Sequence, residues 1–129
     1  MENEVILLDT SILIEYYRKK DKSKSTLFRL ANTYSKFAVS AITHFEIYTG
    51  ANHEQLIFWN DFFRGIVILP FDSEISIQAA DINKELKKIS KQIDTPDLFI
   101  AATAMKHNLS CATLNKKHFE RIKSLQVLV

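Results

Sequence analysis

The stretch Val5-Ile6-Leu7-Leu8-Asp9-Thr10-Ser11 constrains the fold more than any other in the chain. Four consecutive apolar residues read as a strand covered on both faces, a feature of parallel sheets with helices above and below. A carboxylate follows at once. In open α/β sheets, ligands bind in the crevice beyond the carboxyl ends of the strands, so Asp9 stands where that architecture puts its chemistry. Thr10 and Ser11 supply hydroxyls suited to capping the helix that Ile12–Tyr17 would begin.

The rest of the chain alternates in the same way. Leu27, Leu30, Ala31 and Tyr34 recur at helical spacing and predict a helix over 26–34, and Lys36–Ser40 reads as a second strand. Ala41–Gly50 is expected as a helix terminated by Gly50, with Glu46 on the same core-facing side as Ile42 and Phe45. An aromatic helix over Leu56–Phe63 and a strand over Ile66–Phe71, stopped by Pro70, come next. Asp72-Ser73 would then cap a helix whose inward stripe is Ile75, Ala79, Ile82, Leu86 and Ile89. Thr95-Pro96-Asp97 has the form of a helix start, with Thr95 as cap and Pro96 at the first helical position, leading into an apolar run that Asn108 ends. Ser110–Thr113 and Leu125–Val129 complete the strands. Strands separated by helices, with no hairpin signal and no repeat, predict an α/β fold with a mostly parallel sheet of four to five strands between two helical layers.

At 129 residues, 47% of them apolar, the chain is expected to form a single domain over 1–129. A net charge of +2 does not by itself demand a nucleic-acid partner, although Arg18-Lys19-Lys20, the lysines at 84, 87, 88 and 91, and Lys116-Lys117 form local basic clusters. The single cysteine, Cys111, excludes an internal disulfide framework and suits a reducing compartment. No run approaches the roughly 18 apolar residues of a spanning helix, and the polar Met1–Glu4 start does not read as a signal peptide, so a soluble cytoplasmic protein is expected.

Three carboxylates stand where an apolar context should bury them: Asp9 after a buried strand, Glu46 on a core-facing stripe, and Asp97 at the start of a buried helix. Each alone has an ordinary explanation, such as a cap or a helix end. Together they would raise one another's pKa and cost stability, which implies a compensating cation. Oxygen ligands without a Cys or His partner point to Mg²⁺ or Mn²⁺. Such an ion can bind a phosphodiester oxygen, acidify a water and stabilise the charge that develops on displacement.

Four pieces of the sequence, in order, carry a resemblance to a known family: Leu8-Asp9-Thr10-Ser11-Ile12-Leu13-Ile14, the segment Ser40–Gly50 around His44-Phe45-Glu46, Pro96-Asp97-Leu98-Phe99-Ile100-Ala101-Ala102-Thr103-Ala104, and Thr113-Leu114-Asn115-Lys116-Lys117-His118-Phe119. Together they span almost the whole chain and resemble the PIN-domain ribonucleases, specifically the VapC-type toxins of toxin–antitoxin pairs. The resemblance implies a three-layer α/β/α PIN-like fold and metal-dependent endonucleolytic cleavage of a structured RNA, tRNA or rRNA, by in-line attack of a metal-activated water. It implies an acidic triad of Asp9, Glu46 and Asp97 that also binds the metal, with Asn115 as a further oxygen ligand. It places Thr10, Ser11, Thr113, Lys116, Lys117 and His118 as RNA contacts, and it implies a homodimer inhibited by an antitoxin from an adjacent gene. Many relatives have a further acid where Asn115 or His118 stands here, which bears on one-metal against two-metal catalysis. A PIN nuclease of RNA processing without an antitoxin, and a catalytically silent RNA- or protein-binding PIN module, are the alternatives.

Overall fold

Val5–Leu8 forms β1, the central strand of the computed structural model, which describes residues 4–128. Around it stand β2 (Lys36–Ser40), β3 (Val67–Leu69), β4 (Cys111–Ala112) and β5 (Val127–Leu128) in the order β3-β2-β1-β4-β5. All four pairings are parallel. Met1–Asn3 and Val129, the last residue of the expected final strand, lie outside the described residues.

Two-residue alternation along β1 decides which layer each side chain joins. Ile6 and Leu8 pack with Ile12, Leu13, Leu27, Ile47 and Trp59, contributed by α1 (Thr10–Arg18), α2 (Thr26–Leu30), α3 (Ala41–Gly50) and α4 (His53–Phe62). Leu7 points the other way, to Ile75, Leu86, Ile100 and Ala104 from α5 (Ser73–Lys88) and α6 (Thr95–Lys106), and to Phe119 at the end of α7 (Lys116–Phe119). Ile6, Leu7 and Leu8 are fully buried, each contributing about 1.5–3 kcal/mol by removal from water. The continuous apolar run is therefore explained by a sheet with helices on both faces. Among the described residues no helix is long and apolar enough to cross a membrane.

Several local expectations are corrected. The second helix stops at Leu30 instead of Tyr34, because Asn32 and Thr33 bond back only three residues, to Arg29 and Leu30, and tighten the chain into a turn. Gly50 lies inside α3 without a positive φ, and the helix closes at Ala51, whose N–H reaches the Tyr48 carbonyl. Asp94, not Thr95, holds the cap position of α6, which shifts Pro96 to the second helical residue. Ile89 and Phe45, expected to face inward, are 57% and 63% exposed. Asn108 does end α6, in a left-handed conformation (φ 55°) that asparagine tolerates.

Candidate active site

Neighbouring strands diverge at β1: β2 lies on one side and β4 on the other, the switch point at which open α/β sheets bind ligands. The β1–β4 register pairs Leu8 with Ala112, so the next residues, Asp9 and Thr113, leave the sheet side by side. Asp9 is only 4% exposed, and a carboxylate so buried needs hydrogen bonds. Thr113 Oγ1 donates to its Oδ2 at 2.7 Å and Ser11 Oγ donates to the same oxygen at 2.8 Å. Those hydroxyls are fixed in turn, Ser11 by the Leu114 N–H (3.0 Å) and Thr113 by the Asn115 N–H (2.9 Å). Asp9 occupies the cap position of α1 without a side-chain cap bond, and Ser11 holds the carboxylate instead of capping the helix.

Thr10 has the parallel task at the second acid. Its hydroxyl donates to Glu46 Oε1 at 2.7 Å and lies 2.9 Å from the hydroxyl of Thr43, which is fully buried. One hydroxyl carries one proton, so Thr43 donates to Thr10 and Thr10 to Glu46. The inward face of α3 is thus Thr43 and Ile47, with Glu46 beside them and Phe45 turned to solvent. Thr43 was not singled out from the sequence; a polar residue one turn before an acid on a buried face was the available signal.

Asp97 sits in the first turn of α6 with its side chain 20% exposed. Burial pushes its carboxyl up to about 6, and the charges of Asp9, Asp94 and Glu46 push the same way, while His118 opposes them. Acids from the residue after β1, from α3 and from α6 therefore act on one region. Asp94, also missed from the sequence, adds to that field from the residue before the helix. His118 Nδ1 lies 3.7 Å from Asp97 Oδ2 and 2.8 Å from Asn115 Nδ2, which places Asn115 and His118 at the rim. Lys116 and Lys117 are exposed on α7, and Lys116 is 3.8 Å from Glu120. Beneath the acids lies Cys111, fully buried, its thiol pushed well up by that burial and then by the charges of Asp9 and Asp97.

All nearby oxygen donors are carboxylates, hydroxyls or the Asn115 amide. Among the described residues no three His, Cys, Asp or Glu side chains are grouped so as to hold a metal ion. The described residues also leave no buried side-chain nitrogen or oxygen without a partner.

The chain belongs to the PIN domain family, whose pattern matches residues 6–125. Within that family it is of the VapC type. It is 40% identical over 123 residues to Ribonuclease VapC1 of Methanocaldococcus jannaschii, covering 95% of this chain and 84% of that one. Its fold is similar to a chain of the DNA-bound VapBC from Salmonella typhimurium, with TM-score 0.84 and 25% identity over 96% of each chain. A chain of VapBC2 from Rickettsia felis, bound to a DNA fragment of its promoter, gives TM-score 0.81 and 26% identity over 95% of this chain and 96% of that one.

Proposed function

We propose that this protein is a metal-dependent endoribonuclease toxin that cleaves a structured RNA, tRNA or rRNA, and is held inactive by an antitoxin from an adjacent gene. The observation that carries this reading is the placing of Asp9 and Thr113 side by side at the β1–β4 switch point, with Asp9 and Glu46 near enough to add to the upward push that burial gives the Asp97 carboxyl. The VapC relative named a ribonuclease and the VapBC complexes with the same fold support it.

The donor set fits Mg²⁺ or Mn²⁺. Carboxylate oxygens predominate around Asp97, with His118 Nδ1 a nearby nitrogen at 3.7 Å, and such oxygens suit a hard ion that keeps several waters and uses one or two carboxylates. Asp9 and Asp97 would hold the ion, with Glu46 as ligand or water-positioning group and Asn115 adding a neutral oxygen. The hydroxyl bonds of Ser11 and Thr113 to Asp9 both fall on Oδ2. When bound, such an ion supplies Lewis-acid stabilisation of phosphate charge and a more acidic water. The protein's own part is orientation. Ser11 and Thr113 fix Asp9, the Thr43–Thr10 relay fixes Glu46, and Glu46 can take a proton from the attacking water. Lys116, Lys117 and His118 at the rim would meet the RNA backbone. Thr113, expected from the resemblance as an RNA contact, is instead fully buried and bonded to Asp9, a place from which it supports the carboxylate. A homodimer working in the cytoplasm completes the reading.

Brief induction of this protein and of Asp9→Ala, followed by sequencing of RNA ends, tests it. New 5′ ends and growth arrest are expected with the parent alone; their persistence in Asp9→Ala would overturn the assignment.

A further inference from the structure

We propose that Arg18 is a phosphate clamp that grips the RNA strand as it crosses α1 into the acid pocket; this rests on the ribonuclease reading above. Ser11, Ile14 and Arg18 are spaced three and four residues apart and share one face of α1. An open cavity of about 410 Å³ lies against that face, lined by Ser11, Ile14, Glu15, Arg18, Lys19 and Leu114. A second, of about 260 Å³, is lined by Ile14, Arg18, Glu46, Gly50 and Gln55. Ile14 and Arg18 belong to both. One cavity therefore includes the serine that holds Asp9 and the other includes Glu46, and Arg18 is the cation that lines both.

Arg18 is exposed in the last turn of α1, and among the described residues it makes no ion pair and no side-chain hydrogen bond. Of its neighbours, Lys19 lines the first cavity with it, while Lys22 and Glu15 are committed elsewhere. Lys22 Nζ donates to the carbonyls of Tyr16, Tyr17 and Lys19 at 2.6–2.8 Å, and Glu15 accepts from the Thr26 N–H at 2.8 Å. Seven residues at 1.5 Å each put Arg18 roughly 10 Å along the helix from Ser11, too far to touch the phosphate under attack and suited to a neighbouring one. A guanidinium fork matches phosphate oxygens in pairs. The spacing favours RNA over a polypeptide: a strand of regular negative charge can offer one phosphate to a cation held by the acids and the next to Arg18. A protein segment that answered the acids with basic side chains would meet Arg18 as a like charge.

Anisotropy of a labelled single-stranded RNA oligonucleotide in EDTA, titrated with the full chain over a KCl series, tests this together with KM and kcat in Mg²⁺. Arg18→Ala should bind about 5- to 10-fold more weakly, with a log–log salt slope shallower by roughly 0.7, the loss of one phosphate contact on a single strand. KM should rise with kcat within about twofold, Arg18→Lys should recover part of the affinity, and Lys88→Ala on α5 should match the parent. Arg18→Ala with parental affinity and slope, while Asp9→Asn abolishes cleavage, would overturn the clamp and leave the ribonuclease reading standing. A parent that neither binds nor cleaves RNA would overturn both. A polyglutamate peptide whose binding alone depends on Arg18 would assign the groove to a protein partner and overturn the clamp.

Discussion

Thr113 Oγ1 donates to Asp9 Oδ2 at 2.7 Å across a separation of 104 residues. The bond ties the end of β4 to the end of β1 and fixes a carboxylate that the sheet has taken almost wholly out of water. Thr113→Val keeps the shape but removes the donor, and it leaves the Asn115 N–H without its acceptor. A stability loss of about 1–3 kcal/mol is expected, with cleavage reduced about 10- to 100-fold through the loosened Asp9. Urea unfolding and RNA cleavage rates measure the two effects; unchanged values for both would mean that Asp9 needs no such support.

Asp97 is expected to make stability depend on pH when no divalent ion is present. Its carboxyl is ordinarily near 3.8 and is pushed up to about 6 in the fold. Below 3.8 the proton is on in both states and the group contributes nothing. Between 3.8 and 6 the unfolded chain loses its proton while the fold keeps it, so stability falls as pH rises, and above about 6 the whole penalty is present. The full shift corresponds to about 3 kcal/mol; water reaching the carboxylate reduces the expected effect to ~1 kcal/mol. In EDTA, Asp97→Asn should be the more stable protein at pH about 7.5 and equal to the parent at pH about 3.5. Thermal unfolding at the two pH values decides it, and a variant less stable at the higher pH contradicts the assigned cause.

Mg²⁺ should reverse that penalty. An ion that binds only the folded state stabilises by about 2.7 kcal/mol when present at a hundred times its Kd. The melting temperature of the parent should therefore climb with Mg²⁺, and that of Asp9→Asn or Asp97→Asn should stay flat. Asn115→Asp, which adds a charge where the chain has an amide, should respond at lower Mg²⁺ concentration. A parent whose melting curve ignores Mg²⁺ and Mn²⁺ alike would remove the ion from the proposed chemistry.

Cys111 should be silent in the native state. It is fully buried, and burial together with the charges of Asp9 and Asp97 keeps its thiol protonated. The thiolate is the reactive form. An aromatic disulfide reagent should therefore label Cys111 at the rate of global unfolding, accelerating in urea in step with loss of structure. Fast labelling without denaturant would show that the floor of the pocket opens locally.

The sequence carried the frame of this molecule because its signals are local. An apolar run with an acid at its end needs no distant partner to be recognised, so β1 and Asp9 were legible, as were the stripe through Ile75, Ala79, Ile82 and Leu86 and the start of α6 to within one residue. The errors fall where a residue has a local and a distant option. Ser11 could cap a helix or bind Asp9, and Thr10 could do the same or reach Glu46, a choice settled only when α3 and β4 arrive. Asp94 and Thr95 are both good cap residues in adjacent positions, and no periodicity separates them. Thr43 had no local mark at all, since its role exists only through Thr10, 33 residues away. Phe45 was drawn inward by its hydrophobicity alone, whereas the helix phase set by Thr43 and Ile47 turns it to solvent.

The bond between Thr113 and Asp9 also sets an order of events during synthesis. A chain made N-terminus first contains Asp9, Glu46 and Asp97 before the threonine that steadies the first of them has been added. Fragments released early, by a premature stop or a stalled ribosome, would carry all three acids yet lack the strand that aligns Asp9. An enzyme able to harm the cell that makes it would then become competent only when translation of nearly the whole message is finished.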